Sequence, residues 1–243
     1  MTDLRAALAG ACALAGASAI AADAPAACRA QSAAALTPVI ELYTSEGCSS
    51  CPPADRWIST LKDDAARGRV VAQAFHVGYW DYIGWVDRFA NPAHTQRQRQ
   101  VASWNGLPNI YTPQVVRNGQ DWRSDRVFTV AEPARASIDL QQTTPNAFAA
   151  AVVPADGVGA WGAYWTVTEH GHASKVKAGE NAGEYLRHDF VVRQYVPAGD
   201  RRGPAQLTLL AIPPDKGHAR QVNLVVYDAR NGRTLQALSL ACG

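Results

Sequence analysis

Cys48-Ser49-Ser50-Cys51 is the segment of this chain whose residue types and spacing best suit chemistry. Two thiols three residues apart can close a small, reversible disulfide or hold a soft metal ion between them. Pro52-Pro53 comes next, and proline is tolerated in the first turn of a helix, where its missing N–H has no partner to lose. Upstream, Val39, Ile40, Leu42 and Tyr43 mark residues 37–44 as a buried strand, which Ser45-Glu46-Gly47 breaks. Downstream, residues 54–61 read as a helix, with Trp57, Ile58 and Leu61 as its apolar positions. The cysteines are therefore expected at a strand-to-helix junction. Orphan N–H groups and the helix dipole favour an anion there, which lowers the Cys48 thiol pKa. Cys51, a turn deeper, is placed to attack a mixed disulfide on Cys48 and release the partner.

Cysteine usage also bears on compartment. Residues 1–22 read as a secretion signal: Arg5 is a short basic start, an Ala-rich apolar stretch follows, and Ala17-Ser18-Ala19 and Ala19-Ile20-Ala21 both fit the small-x-small cleavage rule. Cleavage removes Cys12 and leaves Cys28, Cys48, Cys51 and Cys242. An even number in an exported chain allows two disulfides. The simplest assignment is a local redox pair, Cys48–Cys51, and a terminal staple, Cys28–Cys242. By chain entropy such a staple contributes about 4–5 kcal/mol; the alternative is two free thiols. A periplasmic or secreted protein is expected. No later stretch is long and apolar enough to span a membrane as a helix.

Of the 243 residues, 47% are hydrophobic and 18% charged, and the formal net charge is +2. That balance suits a packed globular protein. It supplies no basic stripe interleaved with aromatics, so nucleic acid is not an expected partner.

Several elements must frame the cysteines. Residues 70–77 read as a second strand ending near His76, a candidate proton shuttle or ligand. The loop after it carries Tyr79, Trp80, Tyr82 and Trp85, which either line a peptide groove beside Cys48 or fill a core. Asp81 and Asp87 read as solvated or capping residues. Asn91-Pro92 opens a helix running to Trp104. Thr112-Pro113 precedes a strand at 114–117, and Asn118-Gly119 turns it back on itself. The second half has another texture. Short strands at 134–140, 148–153, 163–168, 190–196, 206–212, 222–227 and 234–240 suggest a sandwich or partly closed barrel, the last two joined by Asn231-Gly232. His170 and His172 lie there, with His188 elsewhere; the first two share one strand face and read as a surface hairpin rather than metal ligands. The expected division is 28–132 and 133–243.

The run Glu41-Leu42-Tyr43-Thr44-Ser45-Glu46-Gly47-Cys48-Ser49-Ser50-Cys51-Pro52-Pro53-Ala54-Asp55 resembles the signature of a bacterial secreted, thioredoxin-like family catalogued as a domain of unknown function. His76 to Trp85, Gln96-Arg97-Gln98-Arg99, Tyr111-Thr112-Pro113-Gln114 and Gly179-Glu180-Asn181-Ala182-Gly183 resemble its later segments. The resemblance implies an α/β thioredoxin-like domain followed by an all-β, sandwich-like domain. It also implies Cys48 as nucleophile, Cys51 as resolving thiol and Pro113 as a cis proline. Thr112, Trp80 and Tyr82 are then the expected substrate-binding residues. Thioredoxin carries a buried Asp where this chain has Leu42, so Glu41, Glu46 or a residue of the aromatic loop must accept the Cys51 proton.

The function expected is an exported thiol–disulfide oxidoreductase. Its partners are protein or small-molecule thiols and disulfides and an electron-transfer redox protein; no cofactor or metal is required. Two other readings use the same residues. One is a copper(I) carrier, for which two thiolates and His76 suit the ion. The other is a non-catalytic binding module with a structural disulfide. A structural zinc site needs a second ligand pair that is missing.

Overall fold

A computed structural model describes residues 28–123 and 132–241. In chain order the first half comprises β1 (Arg29–Gln31), β2 (Val39–Thr44), α1 (Pro52–Ser59), α2 (Lys62–Ala66), β3 (Val71–His76), α3 (Pro92–Trp104), β4 (Gln114–Arg117) and β5 (Gln120–Asp121). The second comprises β6 (Ala136–Thr144), β7 (Ala147–Pro154), β8 (Trp161–Glu169), β9 (His172–Lys175), β10 (Tyr185–His188), β11 (Val191–Arg201), β12 (Ala205–Leu210), β13 (Arg220–Asp228) and β14 (Thr234–Leu240).

Local chemistry explains several boundaries. Asn91 caps α3, its side chain accepting from the Ala93 N–H at 2.9 Å, with Pro92 in the first turn. Asn118 and Gly119 both have positive φ, as a two-residue primed turn between β4 and β5 requires. Gly119 is needed twice over, because a Cβ there would lie 1.9 Å from the Gly232 carbonyl oxygen of the β13–β14 hairpin.

Strands from both halves share an eight-stranded sheet of order β14-β13-β8-β11-β3-β2-β4-β5. β2 runs parallel to β3, and β3 runs parallel to β11, with Val191 opposite Ala74 and the Ala74 N–H donating to the Phe190 carbonyl at 2.8 Å. A four-stranded sheet, β1-β6-β7-β12, packs its alternate residues Ile138, Leu140, Phe148, Val152, Leu207 and Leu209 with Trp161, Trp165 and Leu224 of the large sheet. β9 and β10 form a separate pair.

This architecture corrects the expected fold class. The chain is mostly β, with fourteen strands against three α-helices among the described residues, and is not an α/β thioredoxin-like domain joined to a separate β domain. The physical reason is the edge of β3. Its outward N–H and C=O groups need partners, and β11 supplies them, so one sheet crosses the expected junction. Residues 124–131, which include part of that junction, lie outside the described residues.

Strand alternation sorts the residues that matter here. Val39, Tyr43, Val71 and Phe75 share the face that meets α3, whereas Ile40, Leu42 and Ala72 share the face that meets α1. Glu41 thus points with Tyr43 to the first face, and Thr44 and its register partner His76 point to the second.

Candidate functional site

Cys48 and Cys51 form a disulfide at the C-terminal end of β2. Cys51 is the N-cap of α1 in helical conformation, and its carbonyl accepts from the Ala54 and Asp55 N–H groups at 2.9 and 3.1 Å. Cys48 lies one turn earlier, its carbonyl accepting from the Cys51 N–H at 3.1 Å. The Ser50 hydroxyl sits 3.4 Å from Cys48 Sγ. Against a disulfide sulfur the hydroxyl can only donate, and it would do the same to a Cys48 thiolate after reduction.

Both cysteines are fully buried, although Ser49 and Ser50 between them are exposed. The cover is the β9–β10 loop, residues 176–184. Asn181 donates through Nδ2 to the carbonyls of Glu46 (2.8 Å) and Cys48 (3.0 Å). The Glu180 carboxylate accepts from the Ser49 N–H (3.0 Å) and hydroxyl (2.7 Å). Sequence reasoning placed this loop in the second half without seeing that it covers the cysteines; its Gly-Glu-Asn-Ala-Gly run was the available signal.

The aromatic loop closes the other side. A Cβ on Gly47 would lie 3.0 Å from that of Trp80, so the backbone before Cys48 runs tightly against the indole stem. Trp80 Nε1 donates to the Thr112 hydroxyl at 2.7 Å, and the Thr112–Pro113 peptide is cis. Trp80 and Thr112 are therefore brought together beside the cysteine turn. Tyr82 is 82% exposed, and Trp85 donates to Glu46 Oε2 at 2.8 Å. Cys242 lies outside the described residues, and with it the Cys28–Cys242 pairing.

Around Asp55, on the helix that Cys51 caps, is a buried group of ionisable side chains: Glu46, Asp55, His76, Asp87 and His188. His76 Nδ1 is 2.7 Å from Asp87 Oδ2, which also accepts from the Glu46 N–H at 2.9 Å. Burial opposes a charged His76, but the charge and hydrogen bond of Asp87, with Asp55 and Glu46, outweigh it and hold the imidazole above its ordinary value. Burial likewise opposes a charged Asp87, and His76 with the two backbone N–H donors outweighs it, so this carboxyl is lowered. Asp55 is raised, chiefly by burial, with His188, His76 and a 3.2 Å hydrogen bond from Thr44 holding it back. His188 Nε2 lies 3.2 Å from Glu46 Oε1 without hydrogen-bond geometry. Among the described residues His76 Nε2 and His188 Nδ1 have no hydrogen-bond partner.

Several expectations change here. Asp87 is neither solvated nor a simple cap, because its partner His76 is carried to it by β3. His172 is not a surface residue; it is 3% exposed, with Phe89 against its ring, and Phe89 also meets the equally buried His188. Glu41 is removed from the cysteines by strand alternation and is committed to Arg97 Nη2 at 2.8 Å on the other face. Asp55, unremarked in the sequence beyond its place in the signature, is the buried acid on the cysteine helix. Among the described residues no group of three or more His, Cys, Asp or Glu side chains has metal-holding geometry, and no helix is long and apolar enough to cross a membrane.

A family model described as "Protein of unknown function (DUF1223)" matches residues 39–227. A crystal structure of an Agrobacterium tumefaciens protein is similar in fold, with a TM-score of 0.62, 23% identity, and coverage of 85% of this chain and 95% of that one. HBP35 of Porphyromonas gingivalis is similar with a TM-score of 0.53, 15% identity, and coverage of 86% and 76%. No curated protein gives a significant match.

Proposed function

The chain belongs to the DUF1223 family, and on that premise we propose that it is an exported thiol–disulfide oxidoreductase acting through Cys48 and Cys51. The observation carrying this reading is the Cys48–Cys51 disulfide at the start of α1, the helix whose Asp55 belongs to a buried ionisable group. An inert staple across two residues constrains little chain and needs no such surroundings. The residues suit exchange. Ser50 is poised to stabilise a Cys48 thiolate, and Cys51 closes the bond that ejects a partner sulfur. Trp80 and Thr112 edge the approach to the turn, with Tyr82 exposed beside them. The lid over Cys48 must open to admit a substrate sulfur. Protein or small-molecule disulfides and thiols are the substrate class, with a redox partner to reset the pair. The N-terminal Ala-rich stretch supports export to the periplasm or beyond.

The test is exchange itself. Reduced Cys51→Ser protein mixed with glutathione disulfide is expected to stop at a Cys48–glutathione mixed disulfide, seen by mass spectrometry as one added glutathionyl group. The wild type is expected to return to its internal disulfide. Failure of both proteins to exchange would overturn the reading. Tight copper(I) binding by the reduced wild type without exchange would put a copper carrier in its place.

A further inference from the structure

Resolution of a mixed disulfide requires Cys51 to lose a proton, and Cys51 is fully buried. Burial favours the neutral thiol, so a base must be at hand. The nearby carboxylates are not equivalent. Glu41 is on the far face of the sheet with Arg97. Glu46 accepts from Trp85 and faces His188 at 3.2 Å; burial opposes its charge, but His188, Ser174 and Trp85 outweigh it and hold this carboxyl lowered. Asp87 is saturated by His76 and the Glu46 and Phe89 N–H groups. Asp55 has one hydrogen bond, from Thr44. It is also four residues after Cys51 on a continuous helical turn, with its N–H on the Cys51 carbonyl. Residues so spaced lie on one helix face with Cβ atoms about 5–6 Å apart.

A cleft of about 140 Å³ lies between α1 and β10, lined by Pro52, Asp55, Arg56, Leu186, Arg187 and His188. It has room for a few waters, each taking roughly 30 Å³ of liquid volume. His188 is 3% exposed; its Nε2 faces Glu46 Oε1 at 3.2 Å, and its Nδ1, without a hydrogen-bond partner among the described residues, is the sort of group such water satisfies.

We propose that Asp55 accepts the Cys51 proton during resolution and that the Asp55–His188 cleft passes it to solvent. This deepens the oxidoreductase reading and rests on it. The substrate disulfide is the oxidant. The Cys48 thiolate attacks one of its sulfurs, a Cys48–substrate bond forms, and the first substrate thiolate leaves. The Cys51 S–H proton then moves to the Asp55 carboxylate, and the Cys51 thiolate attacks Cys48 Sγ. The Cys48–Cys51 bond forms as the Cys48–substrate bond breaks, its electron pair departing on the second substrate sulfur, which takes a proton from water. The groups facing Asp55 are Thr44 from β2, His76 from β3, Asp87 from the aromatic loop and His188 from β10, with Arg56 and Arg187 lining the cleft and Glu46 behind His76 and His188. Burial makes Asp55 a stronger base than an exposed carboxylate, in keeping with this role.

The experiment is stopped-flow oxidation of the reduced full-length protein by glutathione disulfide across pH, resolving release of the first and second glutathione. Asp55→Asn is expected to leave the first phase unchanged and to slow the second about 100-fold at neutral pH. That deficit should shrink as rising pH ionises Cys51 without help. Asp55→Glu keeps the carboxyl, guards against loss of fold, and is expected to stay within about tenfold of wild type, as general-base action predicts. A second phase of unchanged rate and pH profile in Asp55→Asn, with a normal first phase, overturns the proposal alone. A wild type that shows neither phase overturns it together with the oxidoreductase reading.

Discussion

Two buried charged clusters sit on opposite faces of the same strands, and they are finished differently. On the α3 face, Glu41 accepts from Arg97 through Nη2 (2.8 Å) and Nε (3.2 Å), from the Tyr43 hydroxyl (2.6 Å) and from the Tyr164 hydroxyl (3.0 Å). The Arg97 guanidinium lies over the rings of Tyr164, Trp104 and Tyr227. On the α1 face, Glu46, Asp55, His76, Asp87 and His188 leave His76 Nε2 and His188 Nδ1 without a hydrogen-bond partner among the described residues, whereas on the α3 face it is Arg97 Nη1, a group with no proton to gain, that is left so. Burial alone raises a carboxyl, yet Glu41 is lowered because Arg97 and its hydrogen bonds outweigh that cost, whereas Asp55 stays raised. The closed cluster ties β2 to α3 and β8, so it serves the fold. The open one keeps proton-binding nitrogens without partners close to the helix that carries Cys51.

The sharpest way to break the contrast is to remove Arg97. Arg97→Met strands a buried Glu41 charge and is expected to cost about 3–5 kcal/mol of stability, read by denaturant unfolding of the oxidised protein. The double replacement Glu41→Gln with Arg97→Met should recover much of that loss. Equal losses in single and double variants would mean that packing, not charge, holds this face.

Asp87→Asn probes the open cluster, where a smaller loss of about 1–3 kcal/mol is expected, since the amide still fills the site and bonds. Its pH dependence follows from the shifts. Asp87 is lowered, so its contribution is present above the ordinary carboxylate pKa and fades as pH falls through the lowered value. His76 is raised, so its contribution is complete below about 6.5 and fades as pH rises through the raised value. The wild-type advantage over the variant should therefore be greatest in mildly acidic solution and decline on both sides. An advantage flat across pH would remove the ion pair from this account.

The smallest effect concerns the lid. Asn181→Ala removes two hydrogen bonds to the cysteine turn, worth about 1–2 kcal/mol together. If opening of residues 176–184 limits access, dithiothreitol should reduce the variant's disulfide about 5–30 times faster, the factor that such energies carry. An unchanged rate would show that the disulfide is reached by another path.

Much of this was legible in residue order, because the signals are local. The Asn91-Pro92 start of α3, the Asn118-Gly119 and Asn231-Gly232 hairpins and the buried strands around Leu42 and Phe75 each follow from capping, φ preference or apolar pattern. β1 and β10 were not seen, and β9 only as a surface hairpin at His170 and His172. They are only three or four residues long, too short for alternation to stand out.

By itself the sequence determined the cysteine pair and its place between a strand and a proline-started helix. These depend on neighbours within a few residues, which the order of the chain fixes. Tertiary structure alone decided that β11 joins β3 in one sheet, that Asn181 covers Cys48 from 133 residues away, and that His76, Asp87 and His188 gather under Asp55. Pairing of strand edges and burial of charge depend on which surfaces meet, and a strand with free edges or a histidine with a free nitrogen carries no address for its partner.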